Sequence, residues 1–277
     1  MKKQPIKNSA LNFNLIENGA AMIEYDGWNI AANFGNIEDE LNAANNSVAI
    51  SDISSLSKYK IYMPKLNDFL ARNGDDLRIG AVRKDYSVDN SDNSGQKTTR
   101  LSIDELWISS KMTRSPDEIK APYSNSDGAV ELFELTSAFT GIRLLGPQAP
   151  LLLSELTDLN IGLNAMKNLT AAQSMFLQVH GLLIRDDLIN IPTYDLFVDR
   201  SYGIYAWQAI MNLGARIDYF SAGGKNNIFN EFDQFFTQQN NEDREDRSIT
   251  IKAKKQMELS PRIGISFPIT EQTKFYF

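Results

Sequence analysis

From Ala20 to Gly214 the apolar positions fall in short runs whose spacing alternates between two residues and three to four. AAMIEYDGWNIAANFG (20–35) predicts two short extended segments around a turn at Asp26–Gly27. IEDELNAANNSVAISDIS (37–54) predicts a short helix that exits into a strand. SKYKIYM (57–63) alternates, with Tyr59, Ile61 and Met63 on one face of a half-buried strand. PKLNDFLARNG (64–74) opens on proline, carries Leu66, Phe69 and Leu70, and stops at glycine, the pattern of a short helix. SVDNSDNSGQK (87–97) is polar and turn-rich, a hairpin tip or loose loop, and TRLSIDELWISS (99–110) reads as a strand pair.

The second half is more regular. Residues 129–156 predict a strand, a second strand through Ile142 to Leu145, and a helix opened by GPQA with Pro147 as its first residue. VHGLLIRD and PTYDLFVD predict two more strands around an Asn–Ile–Pro break. YGIYAWQAIMNLG (202–214) predicts an amphipathic helix with Ile204, Trp207, Ile210 and Met211 inward and Gly214 as its cap. Strands and helices alternate without a fixed repeat, so the fold class expected for 20–214 is α+β. Beyond Gly214 the texture changes. ARIDYFSAGG alternates like a strand, 225–247 is rich in Asn, Gln, Asp and Glu, and RIGISFPITEQTKFYF predicts strand, turn, strand. The expected organisation is one domain over 20–214 and a β-rich, partly disordered tail over 215–277.

Composition narrows the chemistry. The chain has 277 residues and no cysteine, which removes disulfides, thiolate nucleophiles and cysteine-ligated zinc. Its single histidine, His180, lies in the apolar run FLQVHGLLI and is expected as a strand residue rather than a catalytic base; one imidazole also leaves no multi-histidine metal site. A formal charge of −7 argues against a nucleic-acid partner. The opening MKKQPIKNSALNFNLIENG lacks the apolar run of a secretory signal, and no window of roughly 18 apolar residues exists for a spanning helix. A cytoplasmic protein without membrane insertion is expected.

Three segments, in order, resemble the folate-binding domain of the aminomethyltransferase family, the T-protein of glycine cleavage and its relatives. They are VAISDISSLSKYKIYMPKLNDFL (48–70), TGIRLLGPQAPLLLSELT (140–157), and the stretch LLIRDDLINIPTYDLFVD with the helix after it through Trp207. The resemblance implies a folate-binding domain of short strands and helices over about 20–214. It also implies tetrahydrofolate as cofactor, and a one-carbon unit delivered by a small-molecule donor or a carrier protein. The implied activity is aminomethyl or methyl transfer, and the implied alternative is a non-catalytic binding or scaffolding subunit of the same fold. Residue by residue, the resemblance puts Arg185 at the family's arginine and Tyr194 at its tyrosine, with Asp195 in place of the closing glutamate. The pterin-contact glutamate falls at Ile191 and the glycine before it at Asn190, a departure that removes a two-point charge-assisted contact. Asp186 or Asp187 is left to substitute by a shift of register. The implied folate-binding set is Arg185, Tyr194 and Asp187, with no catalytic residue assigned. Other positions keep two readings or a plain structural one. Arg185 either pairs with a neighbouring aspartate or meets ligand, and Asp52 either caps its strand or acts as an acid. Gly146 and Pro147 are structural, and Trp207 packs a helix face.

Residues 212–277 are similar instead to adjacent strands of a TonB-dependent outer-membrane receptor, in which alternating strands carry aromatic girdles. Three or four strands fall short of the eight that a closed barrel needs. The resemblance therefore implies a fused fragment of such a barrel, and the alternative is an unrelated β-rich extension.

Overall fold

The computed structural model describes residues 6–85, 95–111, 114–126 and 128–222, with side chains to 214. Strand β1 (Lys7–Asn8) and helix α1 (Asn12–Glu17) precede a hairpin of β2 (Ala21–Tyr25) and β3 (Trp28–Asn33). Asp26 and Gly27 both take positive φ, 48° and 73°, as a two-residue hairpin turn requires. β1 runs parallel to β3, giving a three-stranded sheet in the order β1-β3-β2. Helix α2 (Ile37–Asn46), capped by the Asn36 side chain on Glu38 N–H, leads into β4 (Ala49–Asp52), then β5 (Ser57–Tyr62) and α3 (Leu66–Arg72).

A second group follows: β6 (Val82–Asp85), β7 (Gln96–Arg100), β8 (Glu105–Ser110), α4 (Pro116–Lys120) and β9 (Glu131–Glu134). After these come β10 (Phe139–Leu145), α5 (Ala149–Ser154), β11 (Thr170–Phe176), β12 (Val179–Arg185), β13 (Thr193–Asp199) and α6 (Gly203–Ala222). Two antiparallel five-stranded sheets result, β11-β12-β13-β10-β4 and β6-β7-β8-β5-β9. Mixed strands and helices make the fold α+β, as expected.

Side-chain alternation sorts the layers. Ile142, Leu144, Leu183, Tyr194, Leu196 and Val198 face one way and pack on α1, α5 and α6 through Leu15, Leu152, Leu153, Trp207, Ile210 and Met211. Tyr59, Ile61, Leu106 and Ile108 face the other way and pack on α3 and α4 through Leu66, Phe69, Leu70 and Ile119. Between the sheets lies a third cluster, Val82, Trp107, Leu182, Ile184 and Phe197, with the Trp107 and Phe197 rings 5.4 Å apart. The order is therefore helices, sheet, sheet, helices. The sheets also touch edge to edge, where Ala171 N–H donates to Gly80 C=O and Val82 N–H to Leu169 C=O.

Several expectations need correction. Pro147 precedes α5 rather than starting it; Gln148 is the cap, and the proline in the first turn is Pro150. Helix α6 does not stop at Gly214 but continues to Ala222, so the strand expected from Ala215 is helical up to that point. An interior glycine weakens a helix by only about 1 kcal/mol, less than the tertiary packing of Trp207, Ile210 and Met211 supplies. Ile204 is exposed rather than inward. The sequence reading missed β1, α1, β6, α4 and β11. The acidic run 225–247 and the strands expected in RIGISFPITEQTKFYF lie outside the described residues.

One buried charge belongs to the architecture. The Lys58 side chain, fully buried on β5, donates to the carbonyls of Ser54 and Leu56 at 2.8 and 2.7 Å and so pins the turn between β4 and β5. Burial pushes its pKa down to about 7; the Asp52 carboxylate opposes this and Arg200 adds to it. The folded protein therefore holds fewer protons than the unfolded chain between about pH 7 and the ordinary lysine value of 10.5, and stability rises with pH through that window. Urea unfolding should show a gain of a few kcal/mol between about pH 7 and 9.5, with a slope approaching about 1.4 kcal/mol for each step of one in pH. In Lys58→Met that slope should flatten. An unchanged slope would assign the pH dependence to other groups.

Candidate functional site

The β12–β13 hairpin is built by seven-residue strands paired in register, Arg185 opposite Tyr194 and Ile184 opposite Asp195. Successive residues point to opposite faces, so Arg185 and Tyr194 go to the helix side and Ile184 and Asp195 to the space between the sheets. The structure brings Arg185, Asp187 and Tyr194 together. Arg185 Nε and one terminal nitrogen donate to the two oxygens of Asp187 at 2.9 and 2.7 Å, a bidentate pair. Its other terminal nitrogen donates to the carbonyls of Leu163 and Met166. The guanidinium lies 5.7 Å from the Tyr194 ring centroid. Hydrogen bonds to Asp187 raise the Arg185 pKa, against burial. Asp187 also accepts from Thr193 N–H, which closes the hairpin loop.

The loop tip is unusual. Ile189 has a φ of 61° and is 89% exposed, an uncommon state for a β-branched residue. Ile191 is half-buried, and its backbone pairs with Leu188. Asn190 is exposed. No carboxylate stands at the position of Ile191, and Asp187 is committed to Arg185. Asp186 is the aspartate that turns into the inter-sheet space.

There a charged assembly was missed by sequence reasoning. On the inner face of the second sheet, Lys84 sits opposite Lys97, Lys97 opposite Ser109, and Ser109 opposite Lys58. The facing sheet answers with Asp195 opposite Arg143. Arg143 grips Asp195 through two bonds of 2.6 and 2.9 Å, Lys97 Nζ reaches Asp195 at 3.0 Å and Asp186 at 2.7 Å, and Lys84 Nζ reaches Asp186 at 2.6 Å. The ion pairs form one chain from Lys84 through Asp186, Lys97 and Asp195 to Arg143. Burial pushes the Asp195 carboxyl up, but the Arg143 guanidinium and Lys97 ammonium outweigh it and hold the pKa at about 2. Lys84 also lines a cavity of about 430 Å³, with Val82, Leu169 and Arg78, that opens beside β6. The sequence signal for this assembly is its alternation: Lys97 and Thr99, or Asp195 and Phe197, share a face. Only the pairing of distant strands gives them partners.

Other expected residues fall into structural places. Asp52 accepts from Ser54 N–H at 2.8 Å and from the Ser9 hydroxyl, closing the end of β4. His180 is an exposed strand residue opposite Met175, and Trp207 is buried on α6.

The chain is similar to several characterised proteins. It is 25% identical over 228 residues to the aminomethyltransferase of Thermotoga maritima, a match covering 79% of this chain and 61% of that protein. The aminomethyltransferase of Geobacillus thermodenitrificans is 23% identical over 212 residues, covering 71% and 55%. The chain thus spans about three fifths of the length of the curated relatives it matches. Among solved structures, glycine cleavage system aminomethyltransferase T from Bartonella henselae superposes with a TM-score of 0.60 at 15% identity, covering 74% of this chain and 57% of that one. A chain of heterotetrameric sarcosine oxidase from Corynebacterium sp. U-96, in complex with pyrrole 2-carboxylate, gives 0.53 at 14%, covering 76% of this chain and 95% of that one. These likenesses establish a shared fold. The family model described as the GCVT N-terminal domain matches residues 11–242, most of the chain and past the boundary expected at Gly214, and the chain belongs to that family.

Proposed function

We propose that this chain is a tetrahydrofolate-dependent one-carbon transferase-like protein in which the pterin contact has been weakened. The domain is read as residues 20–214 and the segment 215–277 as its extension, with α6 crossing the boundary to Ala222. The observation that supports the reading is the hairpin itself: Arg185, Asp187 and Tyr194 meet at its end, in the frame the aminomethyltransferases share. The pterin contact does not fit as it does in the family. Ile191 offers no carboxylate to the pterin's amino and ring N–H groups, so no catalytic step is assigned to a bound folate. The one-carbon unit would arrive on a small amine or ether donor or on a carrier protein, and the compartment proposed is the cytoplasm. Among the described residues no helix is long and apolar enough to cross a membrane.

Calorimetric titration of the full chain with tetrahydrofolate tests the reading. Weak binding is expected, and Ile191→Glu should tighten it by about 1–2 kcal/mol, the scale of one charge-assisted hydrogen bond. No heat from either protein would favour a second reading, a non-catalytic subunit of the same fold. Two observations support that alternative. The Arg185 guanidinium is already closed by Asp187 and two carbonyls, and the match covers nearly the whole of one chain from a heterotetrameric assembly.

A further inference from the structure

We propose that this chain pairs with a second copy of itself, each copy seating the Leu188–Ile189 tip of its β12–β13 hairpin in the other's cavity beside β6. The first observation is the tip. Ile189 and Asn190 form a two-residue turn, closed by two backbone bonds of 3.0 Å between Leu188 and Ile191. Ile189 alone of the central pair has positive φ, at the place where such turns take glycine. Glycine would hold this turn without strain. The chain instead carries a strained β-branched residue there, with almost all of its side chain in solvent and Leu188 exposed beside it. Folding gains nothing from that choice, whereas association gains an apolar knob to bury.

The second observation is the cavity of about 430 Å³, whose wall includes Leu77, Ala81, Val82 and Leu169. It opens to solvent and has room for a branched aliphatic side chain. The same wall carries Arg78, Arg83 and Lys84 against Asp75 and Asp76, a balance of one positive charge. The hairpin end carries Asp186 and Asp187 against Arg185, a balance of one negative charge. Knob and hole are therefore complementary in polarity and in charge. They also adjoin on one molecule. Lys84 in the cavity wall pairs with Asp186, and Leu169 N–H donates to Arg185 C=O. A two-fold axis between them lets two copies exchange tips, so that each knob fills a hole and the contact closes on itself. Another copy of this chain is the partner that supplies both complements in that arrangement. The inference does not rest on folate binding.

The test uses the full chain without folate. Sedimentation velocity over a concentration series should show a reversible monomer–dimer equilibrium of micromolar strength or weaker, because two tips bury less than a standard interface. Ile189→Gly should weaken dimerisation by about ten-fold or more, as loss of a central anchor does. Thermal unfolding of the dilute variant should be nearly unchanged, since glycine adopts the same turn. Arg78→Glu, at an exposed position of the cavity wall, should weaken the dimer several-fold. The chain has no cysteine, so single-cysteine variants report the contact directly. An equimolar mixture of Asn190→Cys and Arg78→Cys, treated with a short bis-maleimide, should give mainly the mixed cross-linked dimer. Monomer at every concentration overturns the proposal. So does self-association that Ile189→Gly leaves intact. Cross-linking dominated by pairs of Asn190→Cys overturns it as well, since the tips would then meet each other rather than the cavities. Assemblies that grow past dimers with concentration do the same, because pairing would then be open-ended instead of reciprocal.

Discussion

Asp195→Asn is expected to destabilise the protein by about 3–5 kcal/mol, the cost of leaving buried cations without their partner. Asn is the same size as Asp, so the loss would reflect charge rather than packing. Arg143 donates twice to Asp195, and Lys97 once, in a setting where the carboxylate is almost fully buried. Equilibrium urea unfolding at about pH 7 measures the loss. The pH dependence has a definite sign. The folded pKa of Asp195 is depressed to about 2 from the ordinary value of 3.8, so its contribution is complete above 3.8 and disappears as pH falls through 2. Wild type and variant should therefore converge in strong acid. The double variant Arg143→Met/Asp195→Leu should recover part of the loss, because it removes a cation along with its anion. Lys97 would keep Asp186. A single variant within about 1 kcal/mol of wild type would mean that the network is solvated rather than dry.

Gly146→Ala should be nearly as severe. Gly146 has a φ of 134°, outside the range that L side chains adopt, and a Cβ there would overlap the Ser47 carbonyl. Its N–H also donates to Pro192 C=O at 3.0 Å, tying the end of β10 to the hairpin that carries Arg185 and Tyr194. Adding one methyl must therefore move the α2–β4 junction or the hairpin. A loss of about 3 kcal/mol is expected from the strain and overpacking together. Pro147→Ala, one residue on, should cost less than about 1 kcal/mol, since the proline lies outside α5. Thermal unfolding of the two variants side by side distinguishes a requirement for glycine from a general sensitivity of this turn.

Local pattern carried much of the fold. The turn at Asp26–Gly27, the alternation in β5, the apolar spacing in α3 and the paired strands around RDDLINIP were all legible, because each depends on residues within a few positions. β11 was not, since TAAQSMF has only small and polar residues on much of its length and is held by its pairing with β12. The end of α6 was misjudged for a similar reason. Gly214 is a stop signal only where tertiary packing has also ended. At the site, the family's frame was visible around Arg185 and Tyr194, and so was the departure at Ile191. The inter-sheet charges were invisible. Lys84 and Lys97 come from consecutive strands, but Arg143 and Asp195 lie on β10 and β13, far along the chain, and a lysine in an alternating strand reads as a solvated one until its neighbours are known.

The lysine row also bears on how the chain avoids folding wrongly. A strand's faces exchange when its pairing slips by one residue. A slip of β7 would carry Lys97 to the side of α3 and α4 and bring Thr98 inward, leaving Asp186 and Asp195 facing an interior without that ammonium. Apolar strands tolerate such errors cheaply, because one Val or Ile replaces another. Charged ones do not. The assembly between the sheets is therefore expected to penalise a slipped pairing of β7, whatever its net contribution to the native state over the unfolded chain.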